Sequence, residues 1–354
     1  MFRLTGEGHI GSVPAVDRNM AMFRQRLTAA RHAPWPLLGS PAMSAGPRPR
    51  RSRRHDPAAT ELGVTPPAPS MIDLHAHSTR SDGVLTPYAL IRDVAAAGVR
   101  LFSLTDHDTL AGYRDLANGG VVPPGMTLIP GVEINALVTR DLGLWEGELH
   151  ILGFGMDPDD EGFEAALAAQ RASRRARFDR TIALLRDIGM PIDAQVAGIE
   201  TVDDDALGRP TIARALIAAG FATSVEDAFS RIIGHGGPGY VRREGLGPEA
   251  AIDAIRTAGG VPVLAHFREA PTRPDVVREL VDAGLGGLEV YYRTFDQPTV
   301  DAMAEVARAH RLVMTGGSDY HGDLGAYAES HARLWVPPEV GEGFFAALAG
   351  RLRG

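Results

Sequence analysis

The chain has 354 residues, a net charge of −8 and no cysteine, which excludes disulfides, thiolate nucleophiles and cysteine-held zinc or iron–sulfur sites. It also contains no lysine, so its 36 basic residues are all arginine; Schiff-base chemistry and a phosphate-binding P-loop are thereby excluded. No stretch has the 18 or so consecutive apolar residues of a membrane span, and no secretory signal pattern is present, so a cytoplasmic location without a membrane partner is expected.

Residues 1–70 hold ten of the 25 prolines and ten arginines against four acids. That composition predicts a disordered, loosely attached extension, with Met71 as an alternative start of the functional chain. The extension carries an excess of six positive charges, so the rest of the chain carries −14. An acidic body of that kind is not expected to bind long duplex nucleic acid, although local arginines or a bound metal would still attract a small phosphorylated ligand.

From Met71 onward strands and helices alternate. "MIDLHAHS" reads as a strand, "TPYALIRDVAAAG" as a helix, "VRLFSLTDHD" as a strand and "TLAGYRDLAN" as a short helix. "MTLIPGVEINAL" and "ELHILGFGM" read as strands. A helix at 248–258, "VPVLAH", a helix near 274–283, "GLEVYY", a helix at 298–310 and "LVMTGGSD" complete the series. Strand followed by helix predicts a parallel sheet with helical crossovers, and about seven strands favour a closed or nearly closed barrel. No GxGxxG follows the first strand, which disfavours a dinucleotide-binding fold. Residues 158–245 interrupt the rhythm with polar, Arg-rich helices. The expected architecture is therefore α/β: a barrel from 71–157 and 246–354, with 158–245 as an inserted α-helical subdomain over its mouth.

In α/β barrels the functional groups sit at the C-terminal ends of the strands. His75 and His77, at alternate positions of the first strand, would aim at one point. Asp82 and His107 follow the first two strands, Glu133 and His150 lie in the next two, and His266, Asp319 and His321 end later ones. Singly, each has an ordinary alternative: a core histidine for His150, a turn or cap for Asp319, an arginine partner for Glu133. Jointly, nine nitrogen and oxygen donors at one rim would be costly without cations to organise them. Nine exceed the ligand count of one ion, so two or three divalent ions are expected, with Glu133 as the bridging candidate. Mixed imidazole and carboxylate suits Mn²⁺, Zn²⁺ or Fe²⁺, with Mn²⁺ preferred. Such a cluster activates water and clamps a phosphoryl oxygen, and no GxSxG elbow offers a rival nucleophile. The expected reaction is metal-assisted hydrolysis of a phosphate ester by attack of a bridging hydroxide.

"DLHAHSTRSDG", "LTDHDTLAG", "GVEIN", "LHILGF", "VLAHF" and "GGSDYHG", in that order over roughly 71–340, resemble the PHP (polymerase and histidinol phosphatase) family of metal-dependent phosphoesterases. The resemblance implies a distorted (β/α)7 barrel with a di- or trinuclear centre. It implies one ion on His75, His77, Glu133 and Asp319, a second on Asp82, His107 and His321, and a third on Glu133, His150 and His266. Turnover would depend on Glu133, His107, Asp319 and His321. Asp73, Asp106 and Asp108 are read either as groups orienting the imidazoles or as strand-end caps. The helical insertion is similar to that of the branch acting on nucleoside 3′,5′-bisphosphates and on the 5′ ends of short RNA oligonucleotides. This implies a nucleotide or short oligonucleotide as substrate, with Arg209 as a phosphate-binding candidate. Arg174 and Arg177 are secondary candidates, for which an exposed charged helix face is the competing explanation. Two departures stand out: Thr211 where the family often has histidine, and Phe267 where it often has proline after His266. A histidinol-phosphate-type phosphatase and a non-catalytic metal-stabilised binding module are the alternative functions.

Overall fold

The computed structural model describes residues 70–138, 147–197, 208–322 and 325–351; the expected extension at 1–70 lies, except for Ser70, outside them. Seven strands form one sheet in sequence order: β1 (Ile72–Asp73), β2 (Leu101–Leu104), β3 (Thr127–Leu137), β4 (Glu148–Phe154), β5 (Val261–Leu264), β6 (Gly287–Tyr292) and β7 (Val313–Gly317). Hydrogen bonds from Leu74 N to Gly316 O (3.1 Å) and from His77 N to Tyr320 O (2.9 Å) join the first edge to the last. The result is a nearly closed barrel.

The pairing is parallel except at β4, which runs antiparallel to both β3 and β5. At this one strand the structure departs from the parallel sheet with helical crossovers expected from sequence, and the reason is chain length. Only residues 138–147 separate β3 from β4, fewer than a parallel crossover needs but ample for a hairpin. Regular strand geometry in "MIDLHAHS" also ends early, at Asp73. Beyond it the chain continues alongside β7, with a single parallel bridge from Ala76 to Tyr320.

The outer helices follow local signals. Helix α1 (Pro87–Ala96) begins with Thr86, whose hydroxyl accepts from Ala89 N, and with proline in its first turn, a placement that costs no hydrogen bond. Its buried face is Leu90, Ile91 and Val94. The helices α2 (Ala111–Asn118), α7 (Pro248–Thr257), α8 (Pro274–Asp282) and α9 (Gln297–His310) pack similarly around the sheet. Beyond the elements read from sequence, α10 (Tyr327–His331) and α11 (Pro338–Arg351) complete the shell. Phe344, Phe345 and Leu348 of α11 join Phe154, Val261 and Val263 in one core cluster; each such side chain contributes about 1.5–3 kcal/mol on burial.

Between β4 and β5 lie α3 (Glu161–Asp187), α4 (Asp193–Ala197), α5 (Arg209–Ala218), α6 (Val225–Ala228) and a π-helical turn at Phe229–Ile233. Phe178, Leu185, Ile192, Ile212, Leu216 and Ile232 give these helices a core cluster of their own. Gln170 fastens α3 to the barrel, donating to Asn135 O (3.2 Å) and accepting from Leu246 N (2.8 Å). No helix among the described residues is long and apolar enough to cross a membrane.

Candidate metal centre

At the rim, His75 Nε2 and His77 Nε2 lie 3.2 Å apart, as alternation along an extended chain predicts. Glu133 Oε2 is 3.3 Å from the first and 3.1 Å from the second. Asp319 Oδ1 is 3.2 and 3.3 Å from the same two nitrogens. Five of the distances among these four atoms are thus 3.1–3.3 Å, and all four lie close enough together to share one cation.

Glu133 extends the arrangement. Its other oxygen, Oε1, is 2.8 Å from His150 Nδ1 and 3.4 Å from His266 Nε2, so one buried carboxylate serves two donor groups. The remaining group gathers around Asp82, with His321 Nε2 at 3.1 Å from Oδ1 and His107 Nε2 at 3.7 Å from Oδ2. His77 Nδ1 approaches Asp82 at 3.9 Å, and His107 Nδ1 stands 3.1 Å from Glu133 Oε2. All nine residues singled out from sequence thus converge, in three groups that could each hold a cation.

Whether they suit one is answered by polar atoms left over. Glu133 Oε1 and Oε2, Asp82 Oδ1, His107 Nδ1 and His150 Nδ1 are buried and make no hydrogen bond. Each orphaned atom costs about 1–3 kcal/mol, and so many at one point are accounted for when lone pairs face a divalent ion. Glu133 and His107 are held in the forms a cation needs, whereas His321 is held in the protonated form that a cation would have to displace. Burial raises the carboxyl of Glu133, but His107, His150 and His75 outweigh it and hold it well below the usual range. Burial drives His107 down to about 3, favouring the neutral imidazole that ligation requires. His321 is held up at about 10, because Asp82 and Asp319 overcome its burial.

The backbone is bent to this purpose. Asp108, His266 and Asp319 have φ of 55°, 31° and 46°, a conformation costing about 1–3 kcal/mol where surroundings enforce it. Each N–H is tied to the site: Asp108 to Glu133 O (2.9 Å), Asp319 to His75 O (2.7 Å), His266 to Glu289 Oε2 (2.8 Å).

Glu289 is absent from the residues singled out by sequence. Fully buried in β6, it accepts from His266 N and its Oε1 meets His75 Nδ1 at 3.0 Å, fixing that ring as carboxylates behind ligand histidines do. An acid inside the apolar run "GLEVYY" was the available signal. Tyr292 was also missed; its hydroxyl donates to Asp319 Oδ2 at 2.8 Å.

The three aspartates weighed as imidazole-orienting groups do other work. Asp73 accepts from His75 N, Ser318 N and the Tyr327 hydroxyl. Asp106 accepts from Ser78 N and the Ser78 and Ser81 hydroxyls. Both cap backbone and hydroxyl groups, the second of the two readings. Asp108 binds neither way, since its carboxylate pairs with Arg174 and Arg243.

Those arginines line a cleft that opens from the centre. Asp82, His107 and His150 form one side, and Arg174, Arg177, Arg209 and Arg243 the other, with Phe178 and Phe229 beside them. An exposed helix face does not describe Arg174 and Arg177, whose side chains are only 12% and 9% accessible. Glu148 faces the cluster: Arg177 Nη1 is 3.4 Å from its Oε1, and Arg209 Nη2 and Arg243 Nη1 are 3.4 and 3.8 Å from its Oε2. Arg243, unassigned from sequence, lies in "VRREG", where neither strand nor helix periodicity marks it. Thr211 is buried in α5 and Phe267 in the barrel core, so neither departure changes the donor set.

Comparison with known proteins adds three likenesses. The 5′-3′ exoribonuclease Rnm of Salmonella typhimurium is 31% identical over 281 residues, spanning 76% of this chain and 90% of that protein. The 3′,5′-nucleoside bisphosphate phosphatase of Chromobacterium violaceum is 32% identical over 267 residues, spanning 71% and 87%. A crystal structure of a provisionally assigned metal-dependent phosphoesterase from Bifidobacterium adolescentis superposes with a TM-score of 0.62 at 31% identity, covering 73% of this chain and 90% of that one. No family model matches the chain.

Proposed function

Because the chain belongs to the PHP family of metal-dependent phosphoesterases, we propose that it hydrolyses a phosphate monoester of a nucleoside 3′,5′-bisphosphate or the 5′ end of a short RNA. The observation that carries this choice is the adjacency of two features in one cleft. The nine-residue donor set suits the reacting phosphate, and four guanidiniums suit a second phosphate that does not react.

His75, His77, Asp82, His107, Glu133, His150, His266, Asp319 and His321 would hold two or three divalent ions, Mn²⁺ before Zn²⁺ or Fe²⁺. Such ions supply Lewis-acid charge to the phosphoryl oxygens and an activated water. Protein residues do the rest. Glu289 and Tyr292 keep His75 and Asp319 in place. Arg174, Arg177, Arg209 and Arg243 bind the distal phosphate with paired N–H donors, and helices α3 and α5, as a subdomain over the mouth, carry three of them.

Phosphate release with added Mn²⁺ is the test, measured on adenosine 3′,5′-bisphosphate, a short 5′-phosphorylated RNA and histidinol phosphate. Turnover of the first or second, with at least about a hundredfold preference in kcat/KM over histidinol phosphate, is the expected result; histidinol phosphate has no second phosphate, and two charge-assisted hydrogen bonds to guanidinium suffice for that factor. Turnover of histidinol phosphate alone, or tight metal binding with no turnover of any, would refute the reading.

A further inference from the structure

Glu148 is an acid in a cleft whose other walls favour anions, and the proposed hydrolysis gives it no task. It opens β4, two positions before His150. Side chains so spaced on a strand share a face, so one rigid segment carries both Glu148 and a member of the donor set.

Three segments bring arginines to this carboxylate: α3 with Arg177, the first residue of α5 with Arg209, and the stretch before α7 with Arg243. Without an acid between them their charges would drive them apart. Burial, with the neighbouring Arg209, lowers Arg177 to about 10. Arg243 is lowered as well, by burial and with Arg174 and Arg209 contributing. Contacts of 3.4–3.8 Å leave the carboxylate between the guanidiniums rather than clamped to one. Each guanidinium has five donors, and the three together offer more than one carboxylate can accept. With Asp108, Glu148 leaves the four arginines an excess of two positive charges, the complement of one phosphate monoester carrying about −1.5 to −2.

We infer that Glu148 is a positioning residue that gathers Arg177, Arg209 and Arg243 into one array at a fixed distance from the metal centre, and thereby selects substrates bearing a second phosphate. The inference rests on the proposed function, because the array is taken to hold the phosphate that does not react.

The test compares kcat/KM for adenosine 3′,5′-bisphosphate with the larger of kcat/KM for adenosine 3′- and 5′-monophosphate, in wild type and in Glu148→Gln, which keeps the shape and removes the charge. The ratio is expected to fall about tenfold, the worth of one charge-assisted contact, with the loss in KM of the bisphosphate rather than in kcat. Metal content by elemental analysis and Tm are read on the same samples, to separate a lost array from a lost fold. Should the glutamine variant lose metal, Glu148→Asp, charged but too short to reach all three arginines, is expected to lower the ratio likewise. A ratio that stays constant or rises in the metal-replete variant overturns the inference; a rise would mean that the acid merely competes with substrate. Arg243→Ala separates this from failure of the functional reading. A fall there with no change in Glu148→Gln sinks the inference alone, whereas constancy in both variants sinks the cleft as a phosphate site and the inference with it.

Discussion

Glu133→Gln is expected to lower kcat/KM on any phosphate monoester by at least about 10³-fold, with the far-ultraviolet circular dichroism of the protein unchanged; single residues of metal and electrostatic centres are worth this much. The reason is that both carboxylate oxygens are committed. Oε2 stands with His75, His77 and Asp319, and Oε1 with His150 and His266. An amide supplies one neutral oxygen where two donor groups each require a charged one. Elemental analysis of the same variant is expected to show at least one ion fewer per chain. Wild-type turnover in Glu133→Gln would remove the residue from the centre.

Gly317→Ala is expected to produce a similar loss of activity from outside the donor set. A Cβ at this position would lie 2.2 Å from His75 Cβ and 2.5 Å from His75 N. Both are backbone or backbone-fixed atoms, so the last strand and the first must separate. This is where the barrel closes, since Leu74 N donates to Gly316 O and Asp319 N to His75 O. The cost of such overpacking is about 3 kcal/mol, a fall in Tm of about 6 °C, and the displaced pair is His75 with Asp319. Differential scanning calorimetry and metal titration check both parts. Normal Tm together with normal metal affinity in Gly317→Ala would show that the seam is not as tight as described.

Much of this site is legible in the sequence, for a definite reason. Ligands at strand ends follow short apolar runs that can be read as strands from β-propensity alone, and alternation then fixes which way His75 and His77 point. The bridging role suggested for Glu133 by ligand count alone agrees with the division of its two oxygens between donor groups. Other features depend on distance in space and leave little trace in the chain. Asp73, Asp106 and Asp108 each lie within two residues of a motif histidine, yet two cap backbone and hydroxyl groups and the third pairs with Arg174 and Arg243. The distant partners of Asp73 reach it only on closure and those of Asp108 lie more than sixty residues away, while the serines that bind Asp106 stand 28 and 25 residues back. The reversal of β4 was readable and overlooked: the short connection before it could not hold a crossover helix. Glu289 is an intermediate case, since a charge inside "GLEVYY" signals a buried partner without naming His75. Arg243 had no signal at all, because its segment is irregular and its partners, Asp108 and Glu148, are distant in sequence.

The electrostatic arrangement also explains why the proposed metal and substrate sites would be built from different residue types. Histidines and carboxylates at the centre offer lone pairs to a cation, and burial keeps His107 neutral enough to do so. Guanidiniums across the cleft offer only donors and remain charged at any physiological pH, so they suit an anion and cannot compete for metal. An arginine-only basic complement removes the lysines that, when buried, shift their pKa readily.

The most direct test of the account is anomalous diffraction from crystals of the Mn²⁺-loaded protein, collected on both sides of the manganese edge. One anomalous peak is expected among His75 Nε2, His77 Nε2, Glu133 Oε2 and Asp319 Oδ1, and at least one more beside Glu133 Oε1 or Asp82. Peaks confined to surface acids, with none among these side chains, would contradict it.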